Sequence, residues 1–360
     1  MNNIARIQQA LVQKDLDAIL ITNEKDQRYA TGFAFTDGLV LVAREKAWLL
    51  TDSRYIEAAE KIAGDCCAVQ MFGRQHSQKD LLLAALAEGK AERLAAQDEQ
   101  LNHARWAAFE KIVGRPLLPA GSLMMSLRAS KSQEEIDSMI RAQRISEKAL
   151  EEVLRIIKPG MTEKEVMAEL VYHMLKNGSE GNSFDPIVVT GAKTSMPHGV
   201  PGDEIIRDGD FVTMDFGSLC NGYCSDMTRT VAVGHATEEM RKIYGIVLEA
   251  QLAGIAAARS GIPGKVIDQA ARDVIERAGY GEYFGHGFGH SLGLDIHEPP
   301  MAGPRGEAPM EVNDLCSAEP GIYIPGKFGV RIEDVMIIRP EGAEVITKAP
   351  KMELIVLNNG

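Results

Sequence analysis

Two stretches of this chain carry the same punctuation about a hundred residues apart. In the first, Ser132 and Glu135 form a capping box of the S-x-x-E type. An apolar face at Ile136, Ile140, Ile145, Ala149, Val153 and Ile156 then predicts a long helix stopped at Pro159 and Gly160. A second box, Thr162 and Glu165, opens "TEKEVMAELVYHMLKNG", which Gly178 closes. In the second stretch, "TEEMRKIYGIVLEAQLAGIAAARSG" predicts a long helix ending at Gly261, and "PGKVIDQAARDVIERAG" one ending at Gly279. Gly261 lies 101 residues after Gly160, and Gly279 lies 101 after Gly178. Identity between the two stretches is poor, so helices alone make a weak repeat. Strands strengthen it. "DFVTMDFGSLCNGYCSDMTRTVAV" reads as a hairpin around Asn221-Gly222, the strongest short hairpin signal. "CSAEPGIYIPGKFGVRIEDVMII" reads as another around a Gly-rich turn. Each half is therefore helix, helix, hairpin. Antiparallel strands with helices on one face make an α+β domain, here with internal pseudo-twofold symmetry.

This duplication begins only after residue 125. The chain has 360 residues and 45% hydrophobic content, enough for two domains. Before the duplication, "LDAILIT" and "GLVLVAREKAWLLTD" read as strands, the latter a pair joined at a charged turn. "SRYIEAAEKIAG" and "SQKDLLLAALAEG" read as helices closed by Gly. Residues 1–125 thus form a small α/β domain and 126–360 the larger one. The Pro/Gly/Ser-rich "GRPLLPAGSLMMSLRAS" marks the boundary. A net charge of −12, from 39 basic and 51 acidic residues, argues against nucleic acid as a partner. The first residues are amphipathic and read as no signal peptide, and no run has the length of a membrane span. Five cysteines without framework spacing predict reduced thiols, hence a cytoplasmic protein.

Four acids punctuate the hairpins. With a two-residue turn at Asn221-Gly222, residue 226 pairs with 217. Asp215 and Asp226 then point to one face as diagonal neighbours. Arg331 and Glu333 share a face of their strand by the same parity, whereas Glu319's direction is not fixed by the sequence. Taken alone, each acid has an ordinary reading as a turn, a cap or a solvated strand end. Jointly they occupy matching places in two halves, and the hairpins of a symmetric pair meet near its axis. About −4 of charge would gather there, which two divalent cations would neutralise. Between the hairpins, "FGHGFGHSLGLDIHEPP" packs His286, His290 and His297 into twelve positions. One imidazole among carboxylates suits Mn²⁺, Co²⁺ or Zn²⁺; the spacing does not choose which of the three histidines supplies it.

"MDFGSLCNGYCSDMTRT", "GHGFGHSLGLDIHEPP", "AEPGIYIP" and "GVRIEDV", four blocks in order, resemble the M24 metallopeptidase family with the pita-bread fold, and within it the Xaa-Pro peptidases, prolidase and aminopeptidase P. "RYATGF" and "TDSRYIEAA" resemble the creatinase-type domain that precedes the catalytic domain in that group. The resemblance implies a dinuclear site held by Asp215, Asp226, His290, Glu319 and Glu333, with Mn²⁺ ahead of Co²⁺ or Zn²⁺. It implies His198, His297 and Glu319 as catalytic residues, and His286 and Arg331 lining the substrate pocket. It also implies short proline-containing peptides as substrates and a homodimer, with neither nucleic acid nor membrane as partner. The chain departs from the family in two places. Cys316, Ser317 and Ala318 replace the usual bulky apolar residue and threonine before Glu319, serine keeping a hydroxyl, and Cys220 stands where an aromatic is frequent. The competing readings are a metal-free creatinase-like hydrolase and a non-enzymatic protein-binding relative, both of which lose the acids. A methionine aminopeptidase would lack so long an N-terminal domain.

Overall fold

The computed structural model describes residues 2–358. It divides into two compact units, the first ending at Arg128 and the second beginning at Ala129.

In the first unit, strands β1 (Ala18–Ile21), β2 (Gly38–Ala43), β3 (Ala47–Thr51), β4 (Ala68–Met71), β5 (Leu94–Ala96) and β6 (Leu118–Pro119) form one sheet, ordered β4-β3-β2-β1-β5-β6. β1, β2 and β3 are antiparallel neighbours, and β4, β5 and β6 join in parallel. Six helices accompany it: α1 (Ile4–Gln13), α2 (Glu24–Thr31), α3 (Ile56–Ala63), α4 (Gln78–Glu88), α5 (His103–Val113) and α6 (Leu123–Ala129). β1 and β3 are buried along their whole length. That explains their continuous apolar runs in place of alternation. The expected boundary stretch contains the division between the two units, at Arg128 and Ala129. It is folded, containing β6 and α6, with Leu123 and Met124 buried and Arg128 paired to Asp26 at 2.9 Å. Its Pro and Gly residues shape turns inside the unit, and its leucines and methionines supply apolar surface that a free linker lacks.

The second unit repeats itself. One half holds α7 (Gln133–Leu154), α8 (Glu163–Lys176), β7 (Ile187–Thr190), β8 (Phe211–Phe216), β9 (Leu219–Cys220), β10 (Tyr223–Cys224) and β11 (Met227–Val233). The other holds α9 (Glu238–Ala257), α10 (Gly264–Arg277), β12 (Gly289–Ser291), β13 (Glu298–Ala302), β14 (Leu315–Ala318), β15 (Gly321–Ile324), β16 (Phe328–Arg331) and β17 (Asp334–Arg339). The antiparallel trios β7-β8-β11 and β12-β14-β17 correspond. β13 and β18 (Gly342–Val345) extend the second trio, and β19 (Val356–Leu357) runs parallel beside β11. Each half has its own apolar core, one built on Leu150, Leu170, Met214 and Val231, the other on Val247, Ile275, Phe288 and Met336.

The capping boxes at Ser132 and Thr162 form as expected. The long helices end earlier than their glycines, at Leu154 and Ala257. The apolar face expected on α7 is also corrected. Ile140, Ile145 and Ile156 are only half-buried, while Met139, Ala142 and Leu150 are fully buried beside the polar Ser138, Gln143 and Ser146. Ser138 and Ser146, with Glu135, grip the first hairpin. Ser146 Oγ lies 2.9 Å from both Ser218 Oγ and Ser225 Oγ, Asn221 Nδ2 donates to Ser138 Oγ at 3.2 Å, and Tyr223 OH donates to Glu135 at 2.6 Å. Buried hydroxyls that partner one another cost little to bury, so α7 carries two packing faces.

Asn221 and Gly222 both have positive φ, 52° and 77°, as a type I′ turn requires. One register runs through the whole hairpin: Tyr223 pairs with Cys220 and Met227 with Phe216. It places Asp226 opposite Gly217, two residues from Asp215. Regular pairing breaks there because Gly217 packs directly on the Ser225 carbonyl, where a Cβ would overlap it. In the second hairpin Lys327 N–H donates to Ile324 O at 3.0 Å, and Gly326 has φ 73°. This is a type II turn with Pro325 leading. Gly321 pairs with Arg331 and Ala318 with Asp334, so Glu319 and Glu333 face each other across a second break. Each hairpin is thus interrupted where it carries its acids.

Candidate active site

All nine residues singled out in the sequence line one cavity of about 550 Å³: His198, Asp215, Asp226, His286, His290, His297, Glu319, Arg331 and Glu333. The two hairpins meet directly to bring them together. Glu333 N–H donates to Thr228 O at 3.2 Å, and Thr230 Oγ1 donates to Arg331 O at 3.0 Å.

Asp226, His290 and Glu333 are the tightest group, with one ligand atom from each lying within 4.8 Å of the others. His290 Nε2 is 3.2 Å from Glu319 Oε1 and 3.6 Å from Asp226 Oδ2. Asp215 stands outside this group and receives Arg331 Nη2 at 2.6 Å. Thr228 Oγ1 donates to Glu333 Oε2 at 2.6 Å and accepts Arg331 Nε at 3.0 Å. The same guanidinium reaches Tyr323 OH at 3.0 Å and Pro197 O at 3.3 Å, next to His198. His286 Nε2 shares a hydrogen bond with Tyr323 OH at 2.9 Å. The hydroxyl of Ser317 accepts His290 N–H at 3.0 Å and donates to Glu319 Oε1 at 2.9 Å, so serine performs the bracing expected of a threonine there. Removing it, Ser317→Ala, is expected to lower metal affinity or activity by roughly 10- to 100-fold, read by metal titration beside steady-state rates.

The electrostatics follow burial and charge. Burial, then repulsion from Asp215 and Glu319, holds Asp226 well above the usual carboxylate range. Burial and the Asp226 carboxylate do the same to Glu333. His290 and Glu319 form an ion pair: against burial, Glu319 raises the imidazole, and His290 lowers the carboxyl. Burial lowers His286, and burial and the neighbouring His290 lower His297.

A divalent cation fits this donor set. Glu333 Oε1 and Asp215 Oδ1 are buried and accept a hydrogen bond from no described residue. Native proteins rarely leave such oxygens unpaired without a function. Four carboxylates and one imidazole also form a hard, oxygen-rich set.

Sequence reasoning missed Thr228 and Tyr323, which join the acids to Arg331, and the apolar wall of Phe184, Ile187, Ile296 and Met301. A threonine between Met227 and Arg229 in a strand gives no local sign of its partners, and Tyr323 reads as an ordinary strand aromatic. His173, by contrast, sits on α8 beside Glu169 at 3.8 Å, away from the cavity.

Residues 137–340 match the description "Metallopeptidase family M24", and residues 3–130 match "Creatinase/Prolidase N-terminal domain". The chain belongs to metallopeptidase family M24. The Xaa-Pro dipeptidase from Bacillus anthracis superposes with a TM-score of 0.93 at 42% identity, covering 99% of both chains. The X-Pro aminopeptidase from Thermotoga maritima gives 0.92 at 34%, covering 97% of this chain and 99% of that one. An uncharacterized peptidase of Bacillus subtilis is 39% identical over 96% of this chain and 97% of its own length. The expected architecture of a creatinase-type domain followed by an α+β metallopeptidase domain is the one present. No helix among the described residues is long and apolar enough to cross a membrane.

Proposed function

We propose that this metallopeptidase hydrolyses the Xaa-Pro bond at the N-terminus of short peptides. The observation that carries the reading is the single cavity, in which all five candidate metal ligands and the candidate histidines stand beside an apolar wall of Phe184, Ile187, Ile296 and Met301. Relatives described as an Xaa-Pro dipeptidase and an X-Pro aminopeptidase support it. The retained acids weigh against a creatinase-like or non-enzymatic relative.

In this reading Asp215, Asp226, His290, Glu319 and Glu333 hold two divalent ions, Mn²⁺ first and Co²⁺ or Zn²⁺ as alternatives. Such a pair supplies Lewis acidity, making water a nucleophile near neutral pH and polarising the scissile carbonyl. Glu319, steadied by Ser317, takes the proton of the attacking water and passes it to the proline nitrogen. That nitrogen has no hydrogen in the peptide, so a site made for it forgoes the hydrogen bond that ordinary peptidases use. His297 donates to the developing oxyanion, and His198, beside the Pro197 carbonyl that Arg331 holds, orients the substrate. Arg331 and His286 wall the pocket through Tyr323. Arg305, on the Gly303–Gly306 rim, has no side-chain hydrogen bond to a described residue and is the cation available to a peptide's terminal carboxylate. A cytoplasmic homodimer completes the reading; reduced cysteines suit that compartment.

The test is a series on the Mn²⁺-loaded enzyme: Ala-Pro, Ala-Pro-Ala, a longer Ala-Pro peptide and Ala-Ala-Ala. Cleavage confined to peptides with proline second is expected. Hydrolysis of Ala-Ala-Ala at the rate of Ala-Pro-Ala would reject proline specificity, and cleavage of Ala-Pro alone would make the enzyme a strict dipeptidase.

A further inference from the structure

We propose that Lys131 and Glu298 form a positioning pair that acts on catalysis through His297; the inference rests on the oxyanion role given to His297 above. The imidazole of His297 hydrogen-bonds to no described residue, although its ring centroid lies 4.3 Å from that of His290. Its place in the cavity is therefore set by the backbone beneath it. That backbone is closed on itself by the next residue. Glu298 Oε1 accepts Asp295 N–H at 3.0 Å, and Gly293 N–H donates to Asp295 O at 2.9 Å. The segment is also tied to the hairpin that carries Asp226, because Cys224 N–H donates to Gly293 O at 2.8 Å. Gly293 has to be glycine for the carboxylate to fit, since a Cβ there would lie 2.6 Å from Glu298 Oε2.

The other carboxylate oxygen meets Lys131 Nζ at 3.1 Å, with side-chain exposures of 0% for Glu298 and 1% for Lys131. Lys131 is itself anchored. Its N–H donates to Asn313 O at 3.2 Å, the neighbouring Ser130 Oγ donates to Val312 O at 2.9 Å, and Ser132 caps α7 immediately after it. One end of the pair is thus fixed to a helix start and the other to the loop that presents His297. A buried ion pair is weak evidence for stability, since apolar replacements of equal volume often do as well. What this pair supplies is direction: a charged anchor point that sets where residues 295–298 turn toward the cavity. Neither residue lines the cavity, so both act through the loop and touch no substrate.

The experiment uses the full chain loaded with Mn²⁺. Glu298→Gln, Lys131→Met and the double variant are each made alone and combined with His297→Ala. Measured are kcat, KM, bound metal and melting temperature. The double variant removes both charges of the pair together and keeps the test open where a single variant fails to fold. Because small misplacements of a reacting group are costly, kcat is expected to fall on the order of 10- to 100-fold, with KM and metal content unchanged. In the His297→Ala background the same substitutions should cost less than about twofold, the non-additivity of residues that act as one unit. An equal fold-loss in both backgrounds, or full kcat in folded Glu298→Gln, overturns the proposal. Wild-type kcat in His297→Ala alone would instead fail the reading of His297, and the pair's role with it.

Discussion

Glu333→Ala is expected to abolish hydrolysis and to empty or disorder the metal site. Glu333 lies in the tightest ligand group and faces Glu319 across the break in the second hairpin. One of its oxygens takes the Thr228 hydroxyl, and the other is buried without a partner among the described residues. Alanine removes both oxygens and one of the negative charges that converge on the cavity, so the remaining carboxylates attract a dication less strongly. Loss of metal-derived transition-state stabilisation of several kcal/mol corresponds to a fall in kcat of about 10³-fold or more. Elemental analysis after reconstitution with Mn²⁺, Co²⁺ or Zn²⁺ reads the first consequence and peptide hydrolysis the second. Two ions bound by the wild type and fewer by the variant is the expected result. A wild-type chain that takes up no metal would sink the metallopeptidase reading as a whole, whereas a variant that keeps two ions and full rate would remove Glu333 from the site.

How far the sequence reaches depends on how local each signal is. Asn221-Gly222 specifies its own turn, and the turn dictates the register as far as Asp215. That is why Asp215 and Asp226 can be placed on one face from the turn alone. The second hairpin gives no such control. Its three-residue connection around Pro325-Gly326 permits more than one register, and only the observed pairing of Gly321 with Arg331 puts Glu319 across from Glu333. The α7 helix fails differently. Ser138 and Ser146 look like surface residues by periodicity, and their burial follows from partners on the hairpin about eighty residues later. Thr228, Tyr323 and the Lys131–Glu298 pair share that difficulty: their meaning lies in side chains remote in the chain, which neither period nor spacing records. Four carboxylates at matching places in a duplicated pattern were legible because each sits next to a local marker, a turn or a strand end.

His297→Ala should keep both metal ions and lose most of the catalysis, roughly 10²- to 10³-fold in kcat, the usual cost of one oxyanion donor. His297 lines the cavity yet is absent from the tight ligand group, whose histidine is His290. Burial lowers its pKa, which favours the neutral imidazole, and a neutral imidazole can give a hydrogen bond to a developing negative charge without holding the substrate carbonyl as an ion pair beforehand. The expected signature is therefore a loss in kcat with little change in KM. His290→Ala should differ in kind, because it removes a ligand and lowers metal content as well. His173→Ala supplies the control, its side chain lying on α8 beside Glu169. If His173→Ala were as damaging as His297→Ala while the protein stayed folded and metal-loaded, the division of roles among the histidines would be wrong.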